Sequence, residues 1–308
     1  MVKSLLGVAL SLLVMVKSSL DVAPSPLGGA GERPGGCNVG RAGPDASLCV
    51  SSNSAMSLGR RSVRVQDEAS WVFNRMVDAY ESRPAYPTPL IDAIAKLTPG
   101  QGASVLDVGA GIGHLSLPLA QRGFAVTALE PAIGMLQRLQ QRAIEQQVEV
   151  SAVHAAAEQV PFDDATFDLI VVADVVHFLD SKRAAIELNR VRAERGAVAL
   201  LTWEFTPTPF MNAVVELMEQ SAPRRPREIS SALTELLAVA GVRKPEVTEF
   251  QELTPVAPQQ LEQLLRSISF IGPAMNADRY AAFRERLHAI PHAPHWARTL
   301  TLRTGRGR

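Results

Sequence analysis

The stretch VLDVGAGIGHL, residues 105–115, joins a short apolar run to a glycine-rich turn and then to the start of a helical pattern. The apolar run predicts a buried strand, and Asp107 lies near its end. Gly109, Gly111 and Gly113 let the backbone turn tightly into a helix, whose free N–H groups face the crevice at the carboxyl end of the strand. This pattern favours a small-molecule binding site, although the three glycines alone are also compatible with an ordinary strand-to-helix turn.

Around this stretch, short apolar runs alternate with segments of helical spacing. The predicted strands are 105–108, 125–129, 148–153, 169–172 and 197–202, and the predicted helices between them are 113–122, 133–147 and 183–192. Strands that are apolar throughout and separated by helices imply a parallel sheet covered on both faces. The sequence therefore predicts a doubly wound α/β fold.

The segments that flank this sheet are predicted to be mainly helical. Helices are expected at 72–80 and 90–97, and residues 209–308 are expected to be mostly helical with possible strands at 247–250 and 297–302. The arginine-rich end, residues 303–308, is interpreted as a frayed tail.

Glu130 closes the next predicted strand, about 20 residues after Gly109, where a carboxylate can accept hydrogen bonds from both hydroxyls of a ribose. A carboxylate at this position could instead serve only to favour the N-terminus of the following helix. Dinucleotide-binding turns place their third glycine five positions after the first, whereas Gly113 lies four after Gly109. Asp107 would also repel a pyrophosphate. A nicotinamide oxidoreductase is therefore disfavoured.

Composition excludes several other classes of protein. The chain has 308 residues with 31 basic and 31 acidic side chains, so no net charge attracts a polyanion, and only 5% of the residues are aromatic. We therefore expect no nucleic-acid partner. The two cysteines allow at most one disulfide, and no Cys/His cluster has zinc-finger spacing. His288, His292 and His295 are interrupted by prolines, so no metal site is expected there.

Residues 1–55 differ from the rest of the chain. Residues 21–55 show no helical or strand periodicity and are rich in Gly, Pro and Ser, which predicts disorder. Residues 5–16 are apolar, long enough for the core of a signal peptide and too short to span a bilayer. Three interpretations stay open: an export signal, a weak membrane-surface anchor, or an upstream extension with Met56 as the true start. The third is favoured, and with it a cytoplasmic location without stable membrane insertion.

Two longer stretches together resemble a known family. VLDVGAGIGHLSLPLAQRGFAVTALEP, residues 105–131, and AAAEQVPFDDATFDLIVVADVVHFLD, residues 155–180, are similar to the four motifs of the class I S-adenosylmethionine-dependent methyltransferases. The nearest likeness is to the small-molecule branch, methyltransferase type 11, which includes ubiquinone-type and trans-aconitate-type enzymes. An R-P-x-Y-P-type run at 83–87 is typical of that branch.

This resemblance implies a Rossmann-like sheet of seven strands, the last antiparallel, with a helical lid. The methyltransferase domain would span residues 56–308, with its core at about 100–205 and lid helices at about 70–97 and 209–295. The implied cofactor is S-adenosyl-L-methionine, and the implied acceptor is a small molecule. A catalytically silent protein that keeps the fold and regulates a partner is the alternative.

The resemblance also assigns roles to individual residues. Cofactor contacts are implied for Asp107 at the amino group, for Gly109, Ala110, Gly111 and Gly113 along the methionine and ribose, for Glu130 at the ribose, and for Pro131, Met135, Ala157 and Glu158 at the adenine. Related sequences frequently carry Asp where this chain has Ala156, so a backbone N–H must do more of the base recognition. Ala173 and Asp174 follow the fourth motif strand, and Asp174 could contact the amino end of the cofactor or seat its loop.

Aromatic and basic residues complete the expected site. Tyr80 and Tyr86 would close over the cofactor, or serve simply as packing anchors. His177 is the candidate general base, or else a histidine that shapes the pocket. His114 is expected at the surface or in the pocket wall. The basic cluster of Arg224, Arg225 and Arg227 would suit an acceptor with a carboxylate, or form a solvated loop.

Overall fold

The structure, a computed structural model, describes residues 72–222, 229–291 and 295–307. Its strands are β1 (Ser104–Val108), β2 (Ala125–Leu129), β3 (Ser151–Val153), β4 (Phe167–Ala173), β5 (Arg192–Phe205), β6 (Glu246–Pro255) and β7 (His295–Arg306). They form one sheet of seven strands in the order β3-β2-β1-β4-β5-β7-β6. β1 to β5 pair in parallel, whereas β7 runs antiparallel to both β5 and β6. The predicted doubly wound sheet with one antiparallel strand is confirmed.

Nine α-helices lie in the described residues. They are α1 (Val77–Tyr80), α2 (Thr88–Ala95), α3 (Ser116–Ala120), α4 (Ile133–Glu145), α5 (Ser181–Val191), α6 (Pro209–Ser221), α7 (Ile229–Val239), α8 (Pro258–Arg266) and α9 (Ala277–Ala289). A 3-10 helix (Val72–Arg75) precedes α1, and another (Val176–Phe178) follows β4. No helix of the described segments has the length and apolar character needed to cross a membrane.

Alternate residues of the central strands pack on opposite faces of the sheet, because successive side chains of a strand point in opposite directions. Leu106 and Val108 of β1 pack in the cluster that contains the buried residues of α5 and α7. Val105 packs in the cluster formed with α2 and α3. Both faces are therefore covered by helices, which explains why these strands are apolar throughout.

The lid is smaller than the sequence predicted. Helices α6, α8 and α9 form a separate apolar cluster, with Trp296 of β7 among its members. The remaining parts of the 209–295 segment belong to the core: α7 packs with α5 against the sheet, and β6 is a strand of the sheet. The amphipathic spacing of a lid helix and of a helix on a sheet is the same, so the sequence did not separate them.

Three further predictions about elements need correction. Residues 303–306 are not a frayed tail, because they form the last part of β7 and pair with β5 and β6. The strand predicted at 148–153 is only Ser151–Val153, and the helix predicted at 72–80 is a 3-10 helix followed by the four residues of α1. The predictions for residues 1–55 and for Met56 lie outside the described residues.

Candidate functional site

The glycine turn follows β1, and the strand order reverses between β1 and β4. Open α/β sheets bind their ligands at such a point. All three glycines adopt the left-handed region, with φ of 67° at Gly109, 57° at Gly111 and 86° at Gly113. The N–H groups of Gly109 and Ala110 both donate to the carbonyl of Leu129, at 2.7 and 3.1 Å. The turn is therefore fixed to the end of β2.

Two glycines also allow close approach of other groups to the turn. A Cβ atom at Gly109 would lie 2.6 Å from Cγ1 of Val175, a separation that real side chains do not show. A Cβ atom at Gly111 would lie 3.7 Å from the ring of Tyr80. Tyr80 thus lies beside the turn, as its predicted role requires.

Glu130 connects the turn to the start of α4. Glu130 is 6% exposed. Its Oε2 accepts a hydrogen bond from the N–H of Gly111 at 2.8 Å, and its Oε1 accepts one from the N–H of Ala132 at 2.8 Å. Burial raises the pKa of Glu130 to about 7, although the two backbone hydrogen bonds favour the ionised form. Each carboxylate oxygen can accept two hydrogen bonds, so Glu130 keeps capacity for further donors.

Asp107 is enclosed at the end of β1. The residue is 2% exposed, and its Oδ2 accepts a hydrogen bond from Oγ of Ser116 at 2.6 Å. Burial raises the pKa of Asp107 to about 6, against the opposing effect of the bonds from Ser116. The carboxyl group thus joins β1 to the start of α3, while its contact with a ligand amino group stays a prediction.

The segment before α2 brings Tyr80 and Arg83 together at the edge of the turn. The guanidinium carbon of Arg83 lies 3.9 Å from the centroid of the Tyr80 ring, within the range of a cation–π contact. Nε of Arg83 donates to Oγ of Ser267 at 3.0 Å, and Nη2 donates to the carbonyl of Ser267 at 2.8 Å. Because Ser267 follows α8, Arg83 connects the glycine turn to the lid.

Tyr86 and Asp174 form a second polar contact. The Tyr86 hydroxyl donates to Oδ2 of Asp174 at 3.0 Å, and Asp174 has the positive φ of 57°. Burial raises the pKa of Asp174 to about 6, while Tyr86, Arg83 and Arg298 favour its ionised form. Burial and the nearby Asp174 charge raise the pKa of Tyr86 well above its usual value, so this hydroxyl keeps its proton at neutral pH.

Of the residues expected at the adenine, two are buried in apolar clusters and two make polar contacts at the strand ends. Met135 is 1% exposed and packs with residues that include Tyr80. Ala157 is 4% exposed and belongs to the core cluster beneath α5 and α7. Glu158 accepts a hydrogen bond from the N–H of Asp180 at 2.8 Å, and the carbonyl of Pro131 contacts Nε2 of His154 at 3.0 Å.

A cleft opens at the ends of β4 and β5, and the candidate base is in its wall. His177 lies in the 3-10 helix that follows β4, and its ring centroid is 3.9 Å from that of Phe178. The cleft also contains Tyr80, Arg83 and Asp174. Its remaining lining residues come from the N-terminal segment, the strand ends, α7 and the loop after α8: Phe73, Val176, Phe178, Thr202, Trp203, Ile229, Ile268, Ser269 and Phe270.

His114, at the end of the glycine turn, is half-buried. Burial and the guanidinium groups of Arg142, Arg83 and Arg298 lower the pKa of His114 to about 3. Its imidazole ring is therefore neutral at pH 7, which fits a residue of a pocket wall.

Sequence reasoning missed several cleft residues. Arg83 lies inside the R-P-x-Y-P run but had no role assigned, and Trp203 follows directly after the predicted strand 197–202. Its place at the carboxyl end of a parallel strand was a signal that could have found it. Ile268 and Phe270 come from the loop after α8, and no local pattern points from that loop to the glycine turn.

Some residues considered in the sequence analysis lie outside the described part of the chain. Arg224, Arg225 and Arg227 lie outside the described residues, as does His292. Within the segments that the structure describes, no three or more His, Cys, Asp or Glu residues are arranged to hold a metal ion.

The donor set fits an adenosyl ligand with a charged amino-acid end. Gly109, Gly111 and Gly113 give the turn three positions without side chains of their own. Glu130 at the neighbouring strand end is a buried acceptor with capacity for hydroxyl donors. Asp107, Glu130 and Asp174 give the region negative charge when ionised, which suits a ligand with cationic groups.

Comparison with known proteins identifies the family of this chain. Residues 106–200 match the family model of a methyltransferase domain. An uncharacterized methyltransferase of Mycobacterium tuberculosis is 38% identical over 135 residues, which cover 44% of this chain and 53% of that protein. The chain thus spans about half the length of this relative. An uncharacterized protein of Mycobacterium bovis is 32% identical over 195 residues, which cover 59% of this chain and 69% of that protein.

A solved structure shares the fold. The putative methyltransferase from an antibiotic biosynthesis pathway of Anabaena variabilis superposes with a TM-score of 0.52 at 20% identity, over 70% of this chain and 97% of that one.

Proposed function

The chain belongs to the class I S-adenosylmethionine-dependent methyltransferase family, and from this premise we propose that it transfers a methyl group from S-adenosyl-L-methionine to a small-molecule acceptor. The observation that carries the proposal is the contact between Glu130 and Gly111, which unites the ribose-binding carboxylate with the glycine turn. These two features are the ones that an adenosyl ligand requires together.

The cofactor supplies a methyl group that its sulfonium has already activated. The residues of this chain hold and orient it. The glycine turn offers backbone groups to the ribose and methionine portion, and Glu130 accepts hydrogen bonds from the ribose hydroxyls. Tyr80 covers the turn, and Arg83 fixes Tyr80 to the lid. Alignment and exclusion of water are the main contributions of the protein to such a transfer.

The acceptor is proposed to enter the cleft beside the turn, where His177 lies within the wall. His177 is one candidate to remove a proton from an acceptor that must lose one. Ile268 and Phe270 of the lid cluster line this cleft, and a lining of this kind suits a small molecule. The zero net charge of the chain argues against a nucleic-acid partner. A cytoplasmic location is part of the same proposal.

Titration calorimetry tests the cofactor site directly. We expect S-adenosylmethionine and S-adenosylhomocysteine to bind the wild type, and Glu130→Ala to weaken binding by about 1 to 3 kcal/mol, the range for hydrogen bonds to a charged group. Glu149→Gln, which changes an exposed carboxylate on the loop before β3, is the matched control and should bind as the wild type does. Absence of binding by the wild type would refute the proposed function.

A further inference from the structure

The cleft is lined by both apolar and polar residues. Phe73 and Phe178 meet edge to face, with ring centroids 5.0 Å apart, and Trp203, Ile268 and Phe270 continue the apolar lining. Such a lining binds flat, apolar groups, and a few polar atoms fix their orientation. The polar side chains of the lining therefore decide which acceptor fits.

Asp174 is one of the lining residues and is held by its neighbours. Its carboxylate accepts a hydrogen bond from the hydroxyl of Tyr86 at 3.0 Å, and the nearby backbone N–H of Trp203 also favours the ionised form and so lowers the pKa. A carboxylate has about four acceptor positions, so Asp174 can take at least one further donor. Its positive φ of 57° is a backbone conformation that persists where the surroundings impose it, often at functional sites.

The charges around Asp174 come from three parts of the fold. Arg83, Tyr80 and Tyr86 face it from the N-terminal segment, Arg298 faces it from β7, and His177 shares the cleft. Arg298 is already paired with Glu252, to which its Nε donates at 3.0 Å. Arg83 and Asp174 then balance each other, which favours an uncharged ligand.

We propose that this cleft binds an uncharged, flat, largely apolar acceptor with one phenol-like hydroxyl, and that Asp174 is the group that takes the hydroxyl proton. This inference rests on the proposed function and names its substrate class. Ligands of other charge fit less well, because a cationic amine would face Arg83 and the sulfonium, and a carboxylate would lie close to Asp174.

The proposed reaction balances in atoms and charge. The acceptor O–H bond breaks and its proton passes to the Asp174 carboxylate, while the oxygen electron pair forms a bond to the methyl carbon. The electrons of the carbon–sulfur bond return to sulfur, which leaves a thioether. A positive sulfonium and a negative carboxylate thus become neutral products. This loss of charge is favoured in a cleft that excludes water.

Burial makes Asp174 suitable for this role. It raises the pKa of the carboxyl to about 6, so the group is ionised at pH 7 and yet more basic than an exposed aspartate. A base of this strength matches a phenolic hydroxyl better than an aliphatic alcohol, because the difference in pKa between donor and acceptor is smaller.

Binding of 2-naphthol to the protein saturated with S-adenosylhomocysteine tests the inference without turnover. We expect the affinity for 2-naphthol to be nearly constant between pH 7 and pH 8 and to fall about tenfold by pH 5, because only ionised Asp174 accepts the hydroxyl. S-adenosylhomocysteine is kept saturating at every pH, so that titration of Glu130 does not contribute.

Three variants assign this pH dependence. Asp174→Asn should lower the affinity and abolish the pH dependence, whereas the matched exposed change Asp163→Asn should alter neither. Tyr86→Phe removes a hydrogen bond that favours ionised Asp174, so it should keep the pH dependence and move its midpoint upward. This shift would identify Asp174 even if Asp174→Asn failed to fold.

Transfer of a labelled methyl group to 2-naphthol, detected by mass, is the second readout, and Asp174→Asn should lower its rate about 100-fold or more.

The inference is overturned if affinity for 2-naphthol does not change with pH, if His177→Gln rather than Asp174→Asn abolishes the change, or if 2-naphthoate binds more tightly. Each of these results leaves the proposed function intact. Failure of S-adenosylhomocysteine to bind would instead refute the proposed function, and this inference with it.

Discussion

At the residue scale, Gly109 shows how closely the turn is packed. The position combines a φ of 67° with the approach of Val175, whose Cγ1 would lie 2.6 Å from an added Cβ. An L-residue in the left-handed region is strained by about 1 to 2 kcal/mol, and an overpacked site costs about 1 to 3 kcal/mol more. The two costs have different origins and can be separated by mutation.

We expect Gly109→Ala to lower the free energy of unfolding by about 2 to 5 kcal/mol, measured by urea denaturation. When Gly109→Ala is introduced into the Val175→Ala variant instead of the wild type, it should lower the free energy of unfolding less. The clash with the Val175 side chain is then absent, and only the backbone strain remains. Strictly additive effects of the two changes would show that Val175 does not restrict this position.

Residues of the site were predictable from sequence where a local motif carries them. Gly109, Gly111 and Gly113 form the tight turn that their pattern predicts, in left-handed conformations. Glu130 accepts a hydrogen bond from this turn, while its contact with a ribose stays a prediction. Ser267 could not be predicted, because its contact with Arg83 joins residues 184 positions apart. A contact of that kind depends on how the lid packs, which no short pattern contains.

At the scale of elements, β7 holds together the second half of the sheet. Residues 303–306 pair with Ala197 to Leu200 of β5, and Arg303 and Thr304 pair with β6 as well. Arg303 also donates to Oγ1 of Thr202 at 3.1 Å. The arginine content of this end led to the prediction of a tail. The residues instead belong to β7, which lies between β5 and β6 in the sheet.

Deletion of residues 303–308 is expected to lower the free energy of unfolding by about 3 to 6 kcal/mol, because several strand hydrogen bonds, each contributing about 1 kcal/mol, are lost. The double variant Arg303→Ala/Arg306→Ala keeps the backbone pairing and should cost about 2 kcal/mol or less. Thermal and urea unfolding of both proteins check this. A deletion no more destabilising than the double variant would restore the interpretation as a tail.

Elements were predicted well where one hydrophobic period runs without interruption. β2 is found at the predicted residues, and α4 begins at Ile133 as predicted. The length of β6 was underestimated, because seven of its ten residues are exposed and the other three are only half-buried. An edge strand stabilised by its single partner carries little hydrophobic signal of its own.

At the scale of the whole molecule, stability and cofactor affinity are expected to respond to pH in opposite directions. Burial raises the pKa of Glu130 from 4.5 to about 7, so between these values the folded state binds more protons than the unfolded state. This contribution to stability is therefore lost as the pH rises through that range. Asp107 and Asp174 act in the same direction, and His114, whose pKa is lowered, acts in the opposite one.

Comparison with Glu130→Gln isolates one group. We expect the unfolding free energy of the wild type, relative to Glu130→Gln, to fall by about 1 to 3 kcal/mol between pH 5 and pH 8. Over the same range the wild type should bind S-adenosylhomocysteine more tightly as pH rises, since the ribose hydroxyls donate to the ionised carboxylate. Parallel trends in the two measurements would contradict this assignment of Glu130.

The order of strands also governs how the nascent polypeptide can be assembled on the ribosome. β7 lies between β5 and β6, yet it is translated after both of them and after α8 and α9. Among the described strands, β6 has β7 as its only partner, so it leaves the exit tunnel with nothing to pair with. Until β7 inserts, the unpaired edges of β5 and β6 can pair with strands of other chains. We therefore expect the nascent protein to depend most on chaperones between the synthesis of β6 and the insertion of β7.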